Sequence, residues 1–525
     1  MMSLLIVCQF LLLATAQCII AQDFVRSELP TPLIRPWEML YGADGYLWIS
    51  ESGGVVARVH PESGEKQIVF TAKDYSWGDS SERHPYCHRP NIAAGTLGLA
   101  LHPDFPTAGS NFIYYVYSSN HGSSSAPMTR FKIVRLTWDA ASKSVVDAVD
   151  LVKGLPSGYD HPGGRLLAIR QAGKDFLYYA AGDGGLSDDN DPGCYPAPAV
   201  NPNTYAQDPA YANGKFHRFT IDGGIPDDNP IPGNSMFTRG HRNPQGLVYN
   251  SVGNVLYGIE HGDRTDDEIN VLEPGMNYGW KDVRGHSADD NYPGEAAFVR
   301  DYKPHPLIAN DALKDPLWSW CAAPQPTTDK YLDWCTVAPS DGVYYASDAI
   351  PGWKNSLLVV TLKDGVDTDK EVYQFALSPD GRSILPGTSE RPNPRRYFSG
   401  DQDTNGRLRD IAVSPDGMKI YLINNGGAST DKITVYTYAG PTGVGDHSPE
   451  ESLEVYPNPV SDQLTVRADQ YMEYLGIYDL LGREIVNGVG VNTITVDMHD
   501  VSQGSYVVRA RFAGGVVRNR SLVKQ

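Results

Sequence analysis

Short apolar runs broken by polar turns recur along the chain from about residue 30 to residue 440. GADGYLWISE (42–51), LGLALHPDF followed by NFIYYVYS (97–118), GLVYNSVGNVLYGIEHG (246–262) and DIAVSPDGMKIYLINNGG (410–427) show the same unit. An apolar strand leads through an Asp-Gly-like or Pro-Asp turn into an aromatic-rich strand, which is hairpin chemistry. Nowhere do apolar residues sustain a 3.6-residue period, so no long helix is expected. Hairpins repeated irregularly over this length predict an all-β fold built as a β-propeller, and six blades fit the length.

Composition supports that reading: 52 Gly, 38 Pro and 31 Tyr supply many turns and half-buried aromatics. At 525 residues the chain is too long for one ordinary core unless it is built from repeats. A net charge of −19 excludes the basic face that a nucleic-acid partner would need, although a local cluster of Arg and Lys could still hold an anion. The first residues, MMSLLIVCQFLLLATAQCIIAQ, read as a secretory signal over 1–21, with cleavage after Ala21 or Ala16. The apolar stretch is too short and too interrupted by Gln9 and Gln17 for a transmembrane anchor, and Gln17 before Cys18 does not suit a lipoprotein signal. In an exported chain the four remaining cysteines suggest disulfides. Cys321 and Cys335 are close in sequence and expected to pair, which leaves Cys87 for Cys194.

The propeller is expected over 22–440 and a Gly-rich linker over 441–450. Residues 451–525 alternate like a small immunoglobulin-like β-sandwich of short strands. Tyr456-Pro457-Asn458-Pro459, Tyr478-Asp479 with Gly482-Arg483, Gly504-Ser505-Tyr506 and the basic last strand resemble the C-terminal sorting domain of the type IX secretion system of Bacteroidota. That resemblance implies the secretion machinery as a partner, passage through the periplasm, and a cell-surface or extracellular destination.

Three segments carry candidate chemistry: Gly240-His241-Arg242-Asn243-Pro244-Gln245-Gly246, Glu260-His261-Gly262-Asp263-Arg264-Thr265-Asp266-Asp267-Glu268, and Asn277-Tyr278-Gly279-Trp280. In this order they resemble the soluble glucose and aldose sugar dehydrogenases that use pyrroloquinoline quinone (PQQ) and Ca²⁺. PQQ has three carboxylates and a planar ring, so its pocket calls for Arg and Lys donors and an aromatic face. Sugar oxidation needs a base for the hydroxyl proton.

Carried onto this chain, the resemblance implies His161 as general base, with Asp160 beside it orienting it or touching substrate. Arg242, near the reactive carbonyl, and Asn243 would contact the quinone. Gly262 and Asp263 would offer main-chain carbonyls to the calcium ion, and Trp334 and Thr336 would stack on and touch the quinone. Lys363, Arg407 and Arg409 would pair with its carboxylates. Arg407 and Arg409, two apart on a strand, are expected on one face.

The chain departs from the family at two positions. The family has Pro where Asp263 stands, and Ala93 or a neighbour replaces a Gln near the base. A second, structural calcium site cannot be placed, because Arg284, His286 and Ala288 do not match it. The acidic run Asp263, Asp266, Asp267 and Glu268 lacks EF-hand spacing. It could bind calcium by its side chains or form a charged edge paired with Arg. The expected activity is oxidation of an aldose at C1 to a lactone, with electrons passing to an external acceptor. A non-enzymatic propeller binding a glycan or protein and a calcium-dependent lactonase are the alternatives.

Overall fold

A computed structural model describes residues 21–76, 96–122, 129–157, 161–185, 203–321, 334–363, 370–388, 391–426, 430–442, 453–479, 484–488, 491–512 and 517–525. Asp160, Ala93, Cys87, Cys194, most of the signal segment and most of the linker lie outside these residues. The chain divides into two compact units. One is Arg26–Thr437; the other is formed by Tyr438–Gln525 together with the residues up to Val25. Among the described residues no helix is long and apolar enough to cross a membrane.

The larger unit is built from four-stranded sheets, six of them among the described residues. Their first strands are Pro36–Tyr41, Thr96–Leu101, Gly163–Gln171, Asn243–Asn250, Pro339–Tyr345 and Leu408–Val413. Each of these strands touches the first strand of the next sheet, and the sixth touches the first, so they close a ring. The sixth sheet takes three strands from one end of this stretch and its outermost strand, Ala21–Glu28, from the other, hydrogen-bonded to Ile433–Thr442.

Successive sheets pack face to face through apolar cores. Trp48, Leu99, Tyr115 and Trp138 fill the space between the first and second sheets. Tyr178, Phe216, Leu247 and Leu256 fill that between the third and fourth. Cys321 and Cys335 form a disulfide, as expected from their spacing.

Each of the six first strands carries a register shift near its start. Trp37, Arg165, Gln245, Ser340 and Arg409 fall at five of these irregularities, left out of the ladder. A bulge of this kind re-aims a side chain that strand alternation would send elsewhere. These residues meet one another. Arg165 is buried, and its Nη1 lies 2.7 Å from Glu38, 3.0 Å from Asp341 and 3.4 Å from Asp410. Its Nε donates to the Gln245 carbonyl and its Nη2 to the Ser340 carbonyl. The Arg409 guanidinium stacks 3.6 Å over Trp37.

Arg407 and Arg409 are not two alternate positions of one regular strand. Arg407 lies just before its strand and is exposed, whereas Arg409 is buried. The bulge breaks the two-residue period on which the one-face expectation rested.

In the smaller unit, the strands expected to be short and separate are partly one. Gln463–Asp479 is a single 17-residue strand. Its first part pairs with Leu453–Tyr456 and Val491–Asp497, its second with Glu484–Gly488 and Gly504–Phe512. Val466, Ile477, Val508 and Phe512 lie in its core.

Candidate active site

The described candidate residues fall at equivalent places in successive sheets. His161, Arg242 and Arg407 come just before a first strand, with Trp334 and Thr336 a few residues before another. Gly262, Asp263 and Lys363 follow a second strand. First and second strands run antiparallel, so in each sheet these positions share one end.

His161 is buried, with a left-handed φ of 47°. Its Nδ1 lies 2.9 Å from Asp183 Oδ1. Asp183 is fully buried, and its other oxygen accepts the Trp280 indole N–H at 2.8 Å. The Asp183 amide donates to the Arg242 carbonyl at 2.8 Å, lacing the base loop to the Arg242 turn. Gly182 is needed here, because a Cβ would collide with the His161 carbonyl. Donation of Nδ1–H to Asp183 would fix the tautomer whose lone pair lies on Nε2. The partner seen for His161 is thus Asp183. The sequence signal for it was an Asp flanked by glycines directly after an apolar strand, Gly182-Asp183-Gly184-Gly185.

Arg242 is held by its backbone amide on Glu260, 2.9 Å away. A chain of side-chain contacts runs from His261 through Asn243 and Gln245 to Arg409. Burial holds the His261 imidazole well below its usual range, reinforced by Arg242, Arg409, His161 and Arg407 nearby. Several cations therefore crowd one neutral imidazole. Arg242 Nε, Arg409 Nε and His261 Nε2 are buried with no hydrogen-bond partner among the described residues. A buried unsatisfied donor costs about 1–3 kcal/mol, so this donor set suits an anionic ligand.

Lys363 is anchored on the segment that carries Trp334 and Thr336. Its Nζ donates to the Trp334 carbonyl at 2.5 Å and to Thr336 Oγ1 at 2.9 Å. Trp334 is half-buried, with the Arg264 guanidinium 5.4 Å over its ring. Asp267 staples this segment to the glycine loop by accepting the amides of Gly262, Val337 and Ala338. Burial pushes Asp267 up to about 6, against the pull of those amides and of Lys363.

Each carboxylate of the acidic run is spent on protein donors. Asp263 lies 2.6 Å from Arg284 and 3.7 Å from Arg242; burial would raise it, but these guanidiniums hold it below the usual carboxylate range. Asp266 takes Ser319 and Asn291, and Glu268 takes Asn270 and the Gly285 amide. Asp263 is thus the member of the run that is ion-paired with Arg, while Asp266, Asp267 and Glu268 are buried and accept from neutral donors.

Comparison with known proteins places the chain in a family. Residues 33–432 match the family model described as glucose / sorbosone dehydrogenase. The chain belongs to the glucose/sorbosone dehydrogenase family. It is 29% identical over 464 residues to quinoprotein glucose dehydrogenase B of Acinetobacter calcoaceticus, covering 78% of this chain and 87% of that protein. It is 29% identical over 347 residues to an aldose sugar dehydrogenase of Escherichia coli, covering 65% and 77%. Among solved structures, the apo aldose sugar dehydrogenase of Escherichia coli superposes with a TM-score of 0.56 at 25% identity, over 79% of this chain and 100% of that one. The PQQ-bound aldose sugar dehydrogenase of Streptomyces coelicolor shares the fold, with a TM-score of 0.53 at 23% identity over 80% and 99%. Outside the dehydrogenase region, residues 454–524 match the secretion system C-terminal sorting domain.

Proposed function

We propose that this glucose/sorbosone dehydrogenase family member oxidises the C1 hydroxyl of an aldose to a lactone, using PQQ and calcium. The observation that carries this reading is the convergence of an Asp-oriented imidazole, His161, with buried and partly unsatisfied arginines. When bound, the quinone would accept the hydride from C1, and with it the two electrons of the oxidation, with calcium polarising its carbonyl. Arg242, Asn243, Thr336, Lys363, Arg407 and Arg409 would hold it, Trp334 would stack on it, and the carbonyls of Gly262 and Asp263 would hold the metal. His161 Nε2 takes the hydroxyl proton, and Asp183 steadies the imidazolium that results. Asp160, beside His161 in sequence, would orient the imidazole or touch substrate. Electrons pass on to an external acceptor.

We also propose a six-bladed propeller over 22–440, a linker over 441–450 and an immunoglobulin-like sorting domain over 451–525, behind a signal peptide over 1–21. The sorting-domain match supports export to the cell surface or medium.

Purified protein supplied with PQQ and Ca²⁺ should reduce an artificial dye when aldoses are added. Silence across a broad panel of sugars and alcohols would overturn the proposal, and lactone hydrolysis without quinone would favour the lactonase. Asp183→Asn should lower kcat at least about 10²-fold with cofactor affinity unchanged, because an amide can hold the wrong imidazole tautomer. Unaltered kcat would remove Asp183 from the mechanism.

A further inference from the structure

Asp263 stands where the family has Pro, so this chain sets a carboxylate against the cation assigned to the quinone. Arg242 and Asp263 are 3.7 Å apart, with side chains 11% and 15% exposed. A carboxylate so placed in a poorly hydrated pocket could close on Arg242 as a charge-assisted pair and cancel its charge.

Arg284 occupies the competing position. Its Nη1 lies 2.6 Å from the other oxygen of Asp263, and its side chain is 4% exposed. Three contacts fix it. The guanidinium sits 3.5 Å over Tyr292 and 5.0 Å over Trp280, and its amide donates to Glu295 at 2.8 Å. Arg242 faces the same indole at 5.4 Å. Two cations and one carboxylate leave a net +1 beside Trp280; without Arg284 the sum is zero. Arg264 also acts on Asp263, but its guanidinium is directed over Trp334.

We propose that Arg284 is a positioning residue that engages the Asp263 carboxylate and thereby leaves Arg242 cationic toward the anionic ligand. The inference rests on the quinone-binding reading only for the ligand's identity. Arg284 fell at one of the positions that did not match a structural calcium site; here it is the partner that makes Asp263 tolerable in place of Pro.

The test begins with cofactor-free protein. A crystal structure of Arg284→Met should show Asp263 within about 3 Å of an Arg242 terminal nitrogen. A carboxylate that stays put or turns to solvent overturns the inference, whatever the protein binds. PQQ titrations then compare variants. Arg284→Met should bind roughly tenfold or more weakly than wild type, while the double variant Asp263→Asn/Arg284→Met should recover to within about threefold. A merely structural Arg284 would leave the double variant as weak as the single one, and that result also overturns the inference. If Arg284→Met does not fold, Arg284→Lys and the double variant decide, since both should bind like wild type. Wild-type protein that fails to bind PQQ would sink the functional reading alone, because the cofactor-free structure still tests the geometry.

Discussion

Replacing His161 with alanine should lower kcat by roughly 10²–10⁴-fold, the usual contribution of a positioned base, while PQQ affinity stays within a few-fold. The split follows from the geometry. His161 is tied to Asp183 and through it to Trp280, whereas the residues proposed to carry the cofactor are anchored separately, Arg242 on Glu260 and Lys363 on Trp334 and Thr336. Losing the imidazole removes the proton acceptor without unthreading either anchor. Stopped-flow dye reduction and a binding titration on the same preparation separate the two quantities. A variant keeping a tenth or more of wild-type turnover would place the base elsewhere.

Arg165→Met should destabilise the dehydrogenase unit by about 3–5 kcal/mol or prevent its folding, the cost of leaving buried charge uncompensated. Arg165 bonds to residues of the first, fourth, fifth and sixth sheets from its own place in the third. Glu38 extends the contact to the second by accepting the Leu99 amide. One guanidinium among three carboxylates leaves excess negative charge. Burial above all pushes Glu38 up to about 8, with Arg165 opposing and Asp410 adding to the shift. Asp341 is also raised, chiefly by burial. Because the folded state keeps the Glu38 proton longer than the unfolded chain does, its contribution is fully present below about pH 4.5 and is lost as pH rises through about 8, and Asp341 acts in the same direction. The loss in thermal midpoint on substitution should therefore be larger at pH 8 than at pH 5. Equal losses at both pH values would mean that the carboxylates are not what Arg165 compensates.

The hairpin rhythm of the sequence made the sheets legible, because period-two patterning and turn chemistry are local. Motif resemblance alone named Arg242, Lys363 and Arg409, and all three are buried in the structure. What could not be read depends on register. Glu38, Arg165, Asp341 and Asp410 meet across hundreds of residues, at bulges that no periodicity reveals. The bulge at Arg409 also removed the regular strand on which the one-face reading of Arg407 and Arg409 rested. Asp183 was passed over because an Asp in a glycine-rich turn looks like solvent-facing loop chemistry, yet it is fully buried. The acidic run was ambiguous because only tertiary donors such as Arg284 and Ser319 decide how each carboxylate is used.

The strand Ala21–Glu28, lying outermost beside Ile433–Thr442, gives the ring an order of assembly. Synthesis makes it early, and it must wait for nearly the whole dehydrogenase unit before its partner exists. Joining such distant segments carries a large loop-closure cost and slows folding. The sixth sheet also supplies Arg409 and Asp410, so both the cation cluster and the Arg165 hub stay incomplete until that sheet forms. The pocket proposed for an anionic cofactor is thus complete only in the finished domain.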